Sequence, residues 1–146
     1  MSPAPESDMS ISTNPKDNTL SVPRLRDDGS NWVDYKEKVR SAMGSKGVIR
    51  HVDGKARAPV PYKEVNGIPV VDEKSPPTPA TDEQIEAKEK RLEEYEQREY
   101  TARHILLTTV SKRLAAKLRG KDAHAMWKVV EADAMEKSDF YKVDAR

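Results

Sequence analysis

Residues 81–110 read TDEQIEAKEKRLEEYEQREYTARHILLTTV, and this run decides the fold class. Thr81 with Gln84 three positions later is a capping box, in which each residue satisfies a backbone N–H of the other at a helix start. Ile85, Leu92, Tyr95, Ala102, Ile105, Leu106 and Val110 follow at helical spacing, thinly at first and densely from Ala102 onward. Glu86/Lys90, Glu94/Arg98 and Glu99/Arg103 are i,i+4 pairs with the acid first, each worth about 0.2–0.5 kcal/mol. The pattern predicts one long helix, a solvated arm whose second half enters a core.

Beyond this run, Thr108-Thr109-Val110-Ser111 is poor helix material and predicts a bend, with Ser111 capping a short helix that carries Leu114 and Leu118 and ends at Gly120. Asp122 caps a further helix with Met126, Trp127, Val130 and Ala134. Ser138 opens one more segment (Phe140, Tyr141, Val143) that meets no terminator before Arg146, so the chain reads as interrupted inside an element.

Toward the other end, residues 55–80 hold six of the ten prolines and exclude a regular helix. Asn66-Gly67, flanked by Tyr62-Lys63-Glu64-Val65 and Ile68-Pro69-Val70-Val71, is a hairpin signal, but Pro69 confines it to an edge or an irregular loop, and the stretch reads as a long mobile loop. Before it, Asn31 is a good N-cap with Asp34 as its partner, and Trp32, Tyr35, Val39, Ala42 and Met43 share one face. Gly44 suits a left-handed close of that helix. Val48, Ile49 and Val52 form a short apolar turn closed by Asp53-Gly54. Residues 1–24 mix Ser, Pro, Asp and Asn without period and read as a disordered tail. The expected fold is thus all-α: a small bundle of about five helices over residues 25–146, with the Pro-rich loop at 55–80 inside it.

Of the 146 residues, 36% are hydrophobic and 35% charged, with 26 Lys plus Arg, 25 Asp plus Glu and no Cys. A chain of this length suits one modest domain. Without Cys there is no disulfide framework, thiolate metal site or cysteine nucleophile. No run approaches the roughly 18 apolar residues of a membrane span, and no leader-like apolar segment occurs, so a soluble, cytoplasmic protein with no membrane partner is expected.

Catalytic signatures are wanting. His51, His104 and His124 lie far apart, in no ligand spacing, and read as surface residues. Gly44-Ser45-Lys46-Gly47 fails the phosphate-loop spacing and follows no strand. The carboxylates of the long helix form an alternating charged face, none in an apolar setting that would fit it for acid–base work. The expectation is a non-enzyme with no cofactor, no metal and no small-molecule substrate.

Charge does segregate locally. Lys36–Lys63 holds eight basic and two acidic residues, Thr101–Lys128 seven basic and one acidic, and Thr81–Tyr100 eight acidic and four basic. Arg103, Lys112, Arg113, Lys117, Arg119 and Lys121 are therefore candidate contacts to RNA phosphates or to a partner. The acidic arm of one copy could also meet a basic patch of another, favouring self-association.

Leu25, Asp28-Gly29-Ser30-Asn31-Trp32 and Tyr35 resemble the opening motif of copia-type LTR-retrotransposon Gag proteins. In that family a Leu, a Gly-Ser/Thr-Asn turn and an aromatic residue are followed three positions later by Trp, where Tyr35 stands here. Lys46-Gly47 with His51-Val52-Asp53-Gly54 resembles the next segment of the family, and Asp122-Ala123-His124-Ala125-Met126-Trp127 is similar to its later Ala-x-x-x-Trp helix start. The likeness covers about Leu25 to Arg146, and its landmarks Leu25, Gly29, Asn31, Trp32, Tyr35, Val39, Leu106, Leu114, Met126 and Trp127 are expected to be structural. The zinc knuckle and the protease signature Asp-Ser/Thr-Gly are absent, so the resemblance is to the N-terminal, capsid-like part of Gag alone. It implies a homo-oligomer that forms a particle shell around element RNA. The other readings are a monomeric nucleic-acid-binding or host-adopted adaptor module, and a decayed fragment without function.

Overall fold

The computed structural model describes residues 22–74 and 76–144, with side chains through residue 138. The elements run α1 (Trp32–Ser45), α2 (Ile49–Val52), β1 (Lys63–Val65), β2 (Ile68–Asp72), β3 (Thr78–Pro79), α3 (Asp82–Thr108), α4 (Lys112–Lys117) and α5 (Ala123–Asp144). They divide into two units: residues up to Ala56 together with those from Arg98 onward, and Arg57–Gln97. Residues 1–21 of the expected tail lie outside the described residues. Val22, within that expected tail, packs against the core of the first unit.

The five helices agree with the helical expectation, but the protein is not strictly all-α. Arg57–Gln97 contains a three-stranded antiparallel sheet of order β1-β2-β3 where the sequence reads as a mobile loop. Asn66 (φ 53) and Gly67 (φ 80) both take left-handed backbone, the condition for the two-residue turn that best matches strand twist. The turn sets the register Val65↔Ile68, Glu64↔Pro69, Lys63↔Val70. Pro69 sits in the central strand, not at an edge. In a two-residue hairpin Val65 and Ile68 exchange the first pair of bonds, so residue 69 turns its backbone groups away from β1. The nitrogen that cannot donate thus faces the β3 side, where the Pro69 carbonyl accepts from Ala80 N–H at 2.9 Å. The proline removes no bond from the β1–β2 ladder.

The helix signals are realised with three corrections. Thr81 and Gln84 form the capping box (Thr81 N–H to Gln84 Oε1 2.9 Å, Gln84 N–H to Thr81 Oγ1 3.1 Å). Ser111 Oγ accepts from Leu114 N–H at 3.2 Å, and Asp122 Oδ1 from Ala125 N–H at 2.8 Å. Gly44, however, lies inside α1, and Gly47 (φ 75) supplies the left-handed close after Lys46. α5 continues through Ser138, so the separate last helix does not exist. Asn31 precedes α1 but does not cap it through its side chain: Oδ1 accepts from Arg26 N–H and Nδ2 donates to the Arg24 carbonyl, both at 2.9 Å, which closes the 24–31 turn on itself. Asp34 pairs with Lys38 at 3.4 Å instead.

The core of the first unit joins Trp32, Tyr35, Val39 and Met43 of α1, Val48 and Val52 around α2, Ala102, Ile105 and Leu106 of α3, Leu114 and Leu118 around α4, and Met126, Trp127, Val130 and Ala134 of α5. Spacings of three and four residues put each set on one helix face. The Trp32 and Trp127 rings lie 5.7 Å apart and tilted, and Tyr35 is 6.1 Å from Trp32. Leu25 N–H donates to the Thr109 carbonyl at 2.8 Å, tying the segment before α1 to the end of α3. Gly29 (φ 72) is required where it stands, because a Cβ there would meet the Ala134 carbonyl of α5 at 2.9 Å.

Candidate functional site

Of the six basic candidates, three are occupied within the molecule. Arg113 reaches Asp27 at 3.1 Å and Asp133 at 3.0 Å, and Lys117 reaches Asp133 at 3.4 Å. The Arg113 hydrogen bond, opposed in part by burial, holds the Asp133 carboxyl below the usual carboxylate range. The Ser111 hydroxyl, donating to Asp27, does the same there with help from Arg113. Both acids in turn push the Arg113 guanidinium further up. Arg113 is therefore a staple between the segment before α1, α4 and α5. Arg103 donates from Nε to Glu99 Oε2 at 2.7 Å. Among the described residues Lys112, Arg119 and Lys121 make no ion pair, and Lys112 and Arg119 are exposed.

Two sequence expectations fail at Glu99 and His51. Glu99 is on the acid-rich arm but its side chain is only 14% exposed, and His51, expected at the surface, is buried. Glu99 Oε2 also accepts the Ala123 N–H at 2.8 Å, the first N–H of α5, while Oε1 lies 3.0 Å from His51 Nδ1. An ionised carboxylate only accepts, so the hydrogen of that bond is on His51 Nδ1. Burial would raise the Glu99 pKa, but the bonds from Ala123, Arg103 and His51 outweigh it and hold the carboxyl below its ordinary value. One carboxylate thus joins α2, α3 and the start of α5. The signal was present: position 99 falls on the stripe of Leu92, Tyr95, Ala102 and Leu106, at the spacing of a buried face. His51 likewise sits three residues after Val48 and beside Val52.

Other polar groups of this unit hydrogen-bond within the fold. His124 Nδ1 donates to the Val52 carbonyl at 2.9 Å, and His104 is exposed. Thr109 Oγ1 gives its one hydrogen to the Ile105 carbonyl at 2.7 Å, so the Tyr35 hydroxyl donates to Thr109 at 2.7 Å. Burial pushes the Tyr35 phenol up to about 12. Among the described residues no three His, Asp or Glu side chains converge as a metal ion requires.

Within Arg57–Gln97, the expected bare arm carries the hairpin. Ile85 and Leu92 of α3 line a cleft with Pro59, Pro61, Tyr62 and Pro69. Lys88 Nζ stands 3.9 Å from the Tyr62 ring centroid and donates to the Val60 carbonyl at 2.7 Å, a cation–π contact plus a backbone anchor. Lys63 pairs with Glu73 at 2.9 Å across the sheet. No described helix is long and apolar enough to cross a membrane.

Comparison with protein-family models, with curated proteins and with solved structures found no match.

Proposed function

We propose that the chain is the N-terminal, capsid-like part of a copia-type retrotransposon Gag: a non-enzymatic building block that acts in the cytoplasm and self-associates into a shell around element RNA. One observation carries the reading. The landmarks that prompt the resemblance, some ninety positions apart in sequence, perform one joint structural task. Trp32 meets both Tyr35 and Trp127 in the core, and Gly29 allows the turn before α1 to approach the α5 backbone. Landmarks that hold a fold together in this way suit a protein whose work is done by its shape. The separation of basic and acidic segments suits contacts between copies. The test is light scattering of the full chain at low salt over rising concentration. Growth of mass with concentration supports assembly, and a 16.5 kDa monomer throughout overturns it.

A second reading, a monomeric nucleic-acid-binding module, is favoured by Lys112, Arg119 and Lys121, which make no ion pair among the described residues. Neutralising all three should reduce the slope of log binding constant against log salt by about 2–3 if each meets a phosphate. An unchanged slope excludes them.

A further inference from the structure

The acid-rich half of α3 repeats its charge at a fixed period. Asp82, Glu86, Glu89, Glu93 and Glu96 are spaced four, three, four and three residues apart, which places them on one seam of the helix, and all five are exposed. Among the described residues none of them forms an ion pair, and Lys90, a turn on from Glu86, forms none either. Like charges at i,i+3 and i,i+4 repel along a helix, and Lys90 beside Glu86 and Glu93 offsets this only in part, so cations from outside would strengthen the element.

The other unit has the converse surface. Gly54 stacks on the His124 ring, a Cβ there meeting it at 3.0 Å, which brings the end of α2 against the first turn of α5. Lys55 follows Gly54, Arg50 Nη2 donates to the Lys55 carbonyl at 3.1 Å, and Lys128 lies one turn along α5 from His124. Arg50, Lys55 and Lys128 are exposed and have no ion pair among the described residues. The acids nearby are committed elsewhere: Asp53 to Arg40 at 3.0 Å, Glu131 to Lys36 at 3.8 Å, and Asp122 to the Ala125 N–H.

Resting on the assembly reading above, we propose that the acidic seam of α3 in one copy docks on the basic α2–α5 patch of a second copy. The contact is heterologous, using a different surface on each partner, and so propagates into rings or open arrays. A second copy relieves the seam and the patch together, whereas RNA would neutralise the patch and leave the seam repelling itself.

Sedimentation velocity of the full chain at low and high salt tests this with two triple variants, Arg50→Glu/Lys55→Glu/Lys128→Glu and Glu86→Lys/Glu89→Lys/Glu93→Lys. Each alone should self-associate about tenfold more weakly than the parent, since like charges then face each other. Mixed in equal amounts, the two should associate with one another, because each presents a surface complementary to its partner's. Unchanged thermal midpoints show that the variants fold, and Arg50→Gln/Lys55→Gln/Lys128→Gln replaces the first if it does not. Self-association of the parent that both variants retain overturns the docking surfaces while leaving assembly standing. A monomeric parent overturns assembly and docking together. Loss of binding to a single-stranded homopolymeric RNA in the first variant, with self-association intact, assigns the patch to RNA and overturns the proposal.

Discussion

Replacing Glu99 by Ala removes the acceptor for three donors at once. The Ala123 N–H, 2.8 Å away, is one of the orphan donors at the start of α5, and its loss is the loss of a helix cap, about 1 kcal/mol. The buried His51 Nδ1–H loses its 3.0 Å partner, and an unsatisfied buried donor costs about 1–3 kcal/mol. Arg103 is one-third exposed and turns to water at little cost. The expected loss is therefore about 3 kcal/mol, or about 12–24 °C in Tm for a unit of roughly a hundred residues. Glu99→Gln keeps the shape and one acceptor oxygen and should cost about half as much. Urea denaturation followed by far-ultraviolet circular dichroism measures both. The pH profile gives a second readout. A carboxyl held low in the folded state stabilises above its unfolded pKa of about 4.3, and that stability is lost as pH falls through the folded value. The gap between the parent and Glu99→Gln should stay constant from neutral pH to about 5 and narrow progressively as the pH falls below about 4.3. A Glu99→Ala midpoint within about 0.5 kcal/mol of the parent, or a gap that does not narrow as the pH falls below about 4.3, would refute the reasoning.

Two further outcomes follow from the core. Trp127→Ala should destabilise by about 3–5 kcal/mol by urea denaturation, the range for truncating a buried aromatic, whereas Val33→Ala, 80% exposed, should stay within about 0.5 kcal/mol. Tyr35 should stay protonated to about pH 11: in ultraviolet titration of the folded chain, Tyr35→Phe leaves the absorbance change below pH 11 unaltered, and a smaller change in the variant would show that the phenol is not held at about 12.

Much of the helical layer was legible because its signals are local. The Thr81–Gln84 box, the Ser111 and Asp122 caps and the face of Trp32, Tyr35 and Val39 each depend on residues within a turn or two, and all stand in the structure. The sheet was harder to see, since the cost of Pro69 depends on which strand its nitrogen faces, and that is fixed only by pairing. Gly44 and Gly47 are equivalent as letters, yet only Gly47 has the left-handed backbone. The Glu99 node was hidden for a related reason. A glutamate in a run of charges reads as solvated, and the non-local partners His51 and Ala123, which join Arg103 in offsetting its burial, do not show in the sequence. The basic candidates divide on the same principle, because nothing near Arg113 in sequence announces Asp27 or Asp133.

The central claim is that α1 and α5 bring the two tryptophans together inside a core completed by α3. The chain has only these two indoles, Trp32 at 7% and Trp127 at 4% exposure, so their fluorescence reports on nothing else. Acrylamide quenching of the native chain should be weak and should rise sharply on unfolding in urea. Quenching in native buffer as strong as in urea would place the indoles in water and contradict the account.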